Sequence, residues 1–214
     1  MPTTEAAVLD LYRSGSRSER LHTWLRSKSC PFGAVSAEVP TKGRVLEVGC
    51  GHGFGSLYLA CESADRDVHG VDIDKSKIEA AQAVSAAVPN ASFEHVEPGY
   101  LPTGTWDCIV IIDVLYLLGE AQAMTLLDAC AGALAQGGSI VVKEIDEVPR
   151  WKHRFAKAQE LVATKVLRIT EGDSVAFVRL ADIEDRLQRH GLRTRRIAAD
   201  RRAPWPHAMI VGQT

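Results

Sequence analysis

At 214 residues, with 46% hydrophobic and 24% charged side chains, the chain is sized for one α/β domain that buries a proper core. No stretch approaches the roughly 20 unbroken apolar residues of a membrane span, and the polar run Met1 to Arg20 does not read as a secretory signal; a cytoplasmic protein is expected. The formal charge of −2 argues against a dedicated nucleic-acid binder.

That average hides an asymmetry. Arg150 to Arg202 carries 14 Lys/Arg against 7 Asp/Glu, a local balance of +7, and leaves −9 for the remainder. The basic half either faces an anionic substrate or is ordinary helix surface. Five cysteines, Cys30, Cys50, Cys61, Cys108 and Cys130, are odd in number, scattered and free of C-x-x-C spacing. A reducing compartment and buried thiols follow, rather than a disulfide framework or a zinc site.

In chain order, helical segments at about Ala6–Tyr12 and Glu19–Ser27 lead to Cys30-Pro31-Phe32, read as a hinge. Arg44–Val48 is a buried strand ending in glycines, followed by a helix over Gly55–Glu62. Asp67–Asp72 is a second strand, Lys75–Val88 a second helix, Ser92–Val96 a short strand, and Trp106–Ile112 a β-branched central strand. A helix over Glu120–Ala135, with Gly137-Gly138 as its C-cap, precedes the strand Ser139–Lys143. The periodicity then predicts a long helix over Trp151–Arg168, a helix over Asp182–His190 capped by Gly191, and a terminal hairpin of Leu192–Ala199 and Ala208–Gly212.

Such alternation predicts a Rossmann-like α/β three-layer sandwich: a seven-stranded, mostly parallel sheet with an antiparallel last strand. No internal repeat or linker interrupts it. The expected organisation is one domain, with 1–40 as an N-terminal helical cover, 44–144 as the core, and 150–214 as substrate-side helices and hairpin.

Glu47-Val48-Gly49-Cys50-Gly51-His52-Gly53-Phe54-Gly55 lies where the first strand meets the first core helix. Glycines there let the backbone turn sharply and approach a ligand beside free helix N–H groups. The dinucleotide fingerprint G-x-G-x-x-G fails, because it would need glycine at Phe54 or at Ser56. The pattern E-x-G-x-G-x-G instead resembles motif I of class I S-adenosylmethionine methyltransferases. Gly70-Val71-Asp72-Ile73-Asp74, Asp113-Val114-Leu115-Tyr116-Leu117-Leu118 and Ala135-Gln136-Gly137-Gly138-Ser139-Ile140 resemble further motifs of that family, in order, over Arg44 to Glu144.

The resemblance implies S-adenosyl-L-methionine as cofactor. Glu47 would help hold its methionine end, Gly49, Cys50, Gly51 and Gly53 would form the loop beneath it, and Asp72 beside Ile73 would accept from the ribose hydroxyls. Glu97 would take the adenine amino group; Pro98 departs from the pattern, having no N–H to donate to the ring. Asp113 and Leu115 would complete the pocket, with Tyr12, Arg13, Trp24 and Arg26 on a lid where an arginine meets the cofactor carboxylate.

Ligands of open α/β sheets lie beyond the carboxyl ends of the strands. That places Tyr116, Arg150, Trp151 and Trp205 as candidate substrate contacts, and His207 and Glu144 as candidate bases. The family branch resembled is bacterial and acts on small molecules, so a small, aromatic or anionic acceptor is expected. No clustered His/Asp set calls for a metal. RNA or protein methylation through the basic half, a non-catalytic scaffold and a homodimer stay open.

Overall fold

The computed structural model describes residues 3–145, 178–199 and 207–214. Seven strands form one sheet: β1 Gly43–Val48, β2 Arg66–Asp72, β3 Ala91–His95, β4 Trp106–Ile112, β5 Leu134–Ile145, β6 Arg193–Ala198 and β7 His207–Gln213. Their order is β3-β2-β1-β4-β5-β7-β6. The first five run parallel, and β7 is antiparallel to both β5 and β6. The predicted sheet, with its antiparallel last strand, is the one observed.

Seven helices accompany it among the described residues: α1 Thr4–Leu11, α2 Arg17–Ser29, α3 Phe32–Ser36, α4 Phe54–Glu62, α5 Lys75–Ser85, α6 Glu120–Gly132 and α7 Leu180–Arg189. Alternation along the central strands sorts side chains to two cores. Val45, Cys108, Val110 and Val141 face α1, α3, α4 and α5, whereas Leu46, Ile109, Ile111 and Val142 face α6 and α7. Central strands apolar on both faces leave little polar signal, so their period reads as an unbroken run.

Local chemistry sets the helix ends. Ser16 and Glu19 form a reciprocal capping box at the start of α2. The Asp74 carboxylate accepts the Ser76 and Lys77 N–H groups at the start of α5. Gly191, in the left-handed region at φ 81°, closes α7 as the sequence suggests. One expectation fails: Gly137-Gly138 does not cap α6. That helix stops at Gly132, and Gly137 and Gly138 sit inside β5 at an irregularity in its pairing with β4 between Trp106 and Cys108. A bulge needs a glycine for the same left-handed φ that a cap does, so sequence alone does not separate them. The helix expected over 151–168 lies outside the described residues.

Arg66, at the start of β2, ties the sheet to the N-terminal cover. Its buried guanidinium donates to the carbonyls of Ser36, Val39, Pro40 and Leu59 and to the Ser36 hydroxyl. The chain runs outward from β1 through β2 to β3, then returns to the other side of β1 at β4. The crevice at this reversal, over the carboxyl ends of β1 and β4, is where a doubly wound sheet receives a ligand.

Candidate active site

Between β1 and α4, Gly49, Gly51 and Gly53 all adopt positive φ (75°, 56° and 83°). The N–H groups of Gly49 and Cys50 converge on the Val71 carbonyl at 2.8 and 3.0 Å, pinning the loop to β2. The Gly51 N–H donates to Asp72 Oδ2 at 2.7 Å, and Asp72 Oδ1 accepts the Asp74 N–H at 2.8 Å. A Cβ on Gly53 would stand 2.6 Å from the Phe93 ring, and one on Gly55 would strike the Glu47 carboxylate. A Cβ on Gly51 would meet nothing within 4 Å. Gly51 therefore faces open space at the crevice, and its glycine serves the backbone turn and the approach of a ligand rather than packing.

Glu47 is buried beneath this loop and accepts the Ser56 hydroxyl. Burial raises its pKa to about 7, against the opposing hydrogen bond. Burial likewise raises the Cys50 thiol, which packs in the first core. At the rim, Ile73 and Leu101 are among the few large apolar side chains left exposed, at 54% and 41%. Glu97 is exposed at a turn in which its carbonyl accepts the Tyr100 N–H at 3.1 Å.

Asp113 is the charged node of the site and the only non-glycine residue at positive φ among those described (57°). Lys143 Nζ and Arg26 Nη1 each reach one of its oxygens at 2.5 Å, and Arg26 Nη2 also donates to the Ile112 carbonyl at 3.2 Å. Burial would raise this carboxyl, but the Lys143 and Arg26 charges outweigh burial and hold it far below its ordinary range. Lys143 is completely buried. Each Asp113 oxygen thus accepts from a protein cation, which ties the expected pocket carboxylate to the N-terminal cover.

Three further expectations change. Leu115 is fully buried in the second core, so it does not line the crevice. Glu144 points to that same face of β5: its Oε1 accepts the N–H groups of Val114 and Leu115 at 3.1 and 2.8 Å, and burial, followed by the Asp113 charge, raises its pKa. His207 pairs with Ile145 in the sheet register and lies on the opposite face, with Lys143. Glu144 and His207 thus stand on opposite faces of the sheet. Burial, then the Lys143 charge, lowers His207 to about 4. Tyr116 is half-buried in the 3₁₀ turn Leu115–Leu117 after β4, while Arg150, Trp151 and Trp205 lie outside the described residues.

The N-terminal helices cover the loop from above. The Tyr12 hydroxyl donates to the His52 carbonyl at 2.6 Å, and the His22 and His52 rings lie 4.4 Å apart. Burial, then the neighbouring His52, lowers His22 to about 4. Arg26, one of the two arginines considered for a cofactor carboxylate, completes the closure at Asp113. Arg13 and Trp24 point outward. Sequence reasoning passed over Lys143 and His22. The signal for the first was a lone lysine inside the apolar run Ser139–Lys143; nothing marked the second.

Comparison with known proteins bears directly on this arrangement. Residues 45–138, from β1 through the bulge in β5, match the methyltransferase domain family. This segment is therefore similar to a methyltransferase domain, in line with the motifs that resemble class I S-adenosylmethionine methyltransferases. A 134-residue stretch is 27% identical to the trans-aconitate 2-methyltransferase of Methylobacterium radiotolerans, taking in 60% of this chain and 48% of that relative; the chain spans about half the relative's length. The S-adenosylmethionine-dependent methyltransferase SibL superposes with a TM-score of 0.71 at 18% identity, over 99% of this chain and 69% of SibL. Magnesium protoporphyrin IX methyltransferase from Synechocystis gives 0.65 at 18% identity, over 95% and 91%.

The family's cofactor is S-adenosylmethionine, and the residues present fit it. Gly51 offers an open backbone at the crevice, Asp72 uses one acceptor site on each oxygen and keeps others for two vicinal hydroxyls, and Ile73 and Leu101 present bare apolar surface to a flat ring.

Proposed function

We propose that the protein methylates a small-molecule acceptor held beside the carboxyl ends of β4 and β5, at an atom that needs no proton removed by the enzyme. In this reading Gly49, Gly51 and Gly53 form the cofactor bed, Asp72 takes the ribose hydroxyls, Ile73 and Leu101 flank the adenine with Glu97 nearby, and Glu47 lies under the methionine end. Bound S-adenosylmethionine supplies a methyl group already activated by its sulfonium. The chain's task is then to orient the acceptor and keep out water.

The observation that carries the acceptor class is the state of the two candidate bases. His207, near 4, is a poor proton acceptor at neutral pH, and Glu144 is committed to backbone N–H groups on the other face of the sheet. A carboxylate or a neutral amine attacks without such help; a neutral alcohol does not. The similar proteins point to small molecules too, being named for trans-aconitate and magnesium protoporphyrin IX. Four of the six described arginines of the basic half, Arg179, Arg186, Arg189 and Arg195, are already paired with Asp182, Asp128, Asp185 and Glu38, which weighs against a nucleic-acid face there.

Calorimetric titration with S-adenosylmethionine and S-adenosylhomocysteine, with NADH as control, tests the cofactor bed. A panel of carboxylates, amines and alcohols, scored by S-adenosylhomocysteine release, then tests the acceptor. Turnover of carboxylates or amines is expected; turnover confined to alcohols overturns the acceptor class while leaving the cofactor assignment standing.

A further inference from the structure

Helix α2 has two working faces. The inner one carries His22 and Arg26 onto the glycine loop and Asp113. The outer one carries Arg17, Arg20, Leu21, Trp24, Leu25 and Lys28, residues spaced three and four apart along one stripe about 16 Å long. Leu21, Trp24 and Leu25 are 56%, 49% and 43% exposed, so this stripe holds three of the five large exposed apolar side chains among the described residues. Such clustering on one surface marks contact with something apolar.

The charges on the same stripe give that something a sign. Arg13 pairs with Asp10 and Lys28 with Glu5, and the Glu19 carboxylate accepts the Ser16 N–H in the capping box. Arg17 and Arg20 have no ion pair among the described residues. Between α1 and α2 lies an open groove of about 510 Å³, with Arg13, Arg17, Arg20, Leu21 and Trp24 around a floor of Tyr12. It is too open to enclose most of a small ligand, as sites of that kind do. A second copy meeting this face about a two-fold axis would set arginine against arginine.

We infer that the outer face of α2 docks on an anionic lipid surface, with Trp24, Leu21 and Leu25 entering the headgroup–acyl boundary and Arg17 and Arg20 meeting lipid phosphates. Trp and Leu beside unpaired arginines are the side chains that hold an interfacial helix in place. The inference does not depend on which acceptor is methylated, and its test requires no turnover.

The intact chain is sedimented with phosphatidylcholine vesicles, with and without phosphatidylglycerol, at low and high salt. Retention only on anionic vesicles, weakened by salt, is expected, together with a blue-shifted tryptophan emission that Trp24→Phe removes. Arg17→Ala/Arg20→Ala should lower vesicle affinity roughly thirtyfold, at the usual contribution of a basic residue near an anionic surface. Both variants should keep wild-type circular dichroism and S-adenosylhomocysteine affinity. No retention at low salt, equal retention on neutral vesicles, or retention unchanged in both variants would overturn the inference. So would a concentration-dependent dimer in sedimentation equilibrium that Trp24→Phe abolishes, which would assign the face to self-association.

Discussion

Arg26 and Asp113, 87 positions apart in sequence, meet at 2.5 Å, and this contact fastens the N-terminal helices to the carboxyl end of β4. Asp113 holds a left-handed φ that costs a non-glycine residue about 1–2 kcal/mol. The paired cations around its carboxylate offset that cost. Burial opposes the charge of Arg26 as well, yet the Asp113 charge more than compensates and holds the guanidinium well above its ordinary pKa. The pair is a latch: it closes the cover only while Asp113 is ionised.

Opening the latch should therefore be measurable without assaying turnover. Arg26→Ala should cost about 1–3 kcal/mol of stability, below the ~3–5 kcal/mol typical of a fully buried pair because Arg26 keeps 29% exposure and Lys143 remains. It should also raise hydrogen exchange in α2 while leaving the core strands protected. Lys143→Met should cost more, since Lys143 is wholly buried. Unchanged exchange in α2 of the Arg26 variant would mean that Tyr12 and His22 hold the cover by themselves.

The cofactor bed allows a sharper separation. Gly51→Ala places a methyl in open space at the crevice, with backbone strain of only about 1–2 kcal/mol, so the fold should persist while calorimetric binding of S-adenosylhomocysteine is lost. Gly53→Ala drives its Cβ into Phe93 and Ala81 and should lower the melting temperature first. Asp72→Ala should weaken binding at least roughly a hundredfold, two hydrogen bonds to a charged group contributing about 1.5–3 kcal/mol each. Tight binding by the Asp72 variant would place the ribose elsewhere.

Stability should peak on the mildly acidic side of neutrality. Glu47 is raised to about 7 and Glu144 is raised too, so their contribution is full below the ordinary value of 4.5 and is lost as pH climbs through the folded values. His22 and His207 are lowered to about 4, so theirs is full above the ordinary 6.5 and is lost as pH falls toward 4. Between these limits the two slopes oppose each other, giving a maximum near about pH 5–6. Thermal melts of the free protein should show a lower midpoint at pH 8 than at pH 6, and Glu144→Gln should flatten that decline. A midpoint rising from pH 6 to pH 8 would contradict the burial of both glutamates in the native state.

If the acceptor atom attacks unaided, neither His207→Gln nor Glu144→Gln should slow transfer more than about tenfold, against the 10²–10⁴-fold typical of a lost general base. For a carboxylate acceptor the pH profile of kcat should be flat from neutrality upward once stability is controlled for, whereas for an amine it should rise only with the acceptor's own deprotonation. A fall of 10²-fold or more in the His207 variant alone, with cofactor affinity intact, would restore that histidine as the base and an alcohol as the acceptor.

The methyltransferase-like motifs, the mostly parallel sheet with its antiparallel last strand, and the glycine loop were legible in the residues themselves. Each rests on local chemistry: glycines where φ turns positive, a β-branched run such as Trp106–Ile112 where both faces are buried, and a carboxylate at the end of its strand. What the tertiary structure decided was which side chains are already taken. In the sequence Asp113 has no visible partner, and in the structure Lys143 and Arg26 converge on it; Glu144 and His207 read as neighbours in one site, and the two-residue period of the sheet sends them to opposite faces. Leu115 reads as a pocket wall until the turn after β4 folds it into the core. A sequence lists donors and acceptors along one dimension, and their pairing across 30 or 87 positions, which fixes pKa and availability, exists only once the strands have been laid side by side.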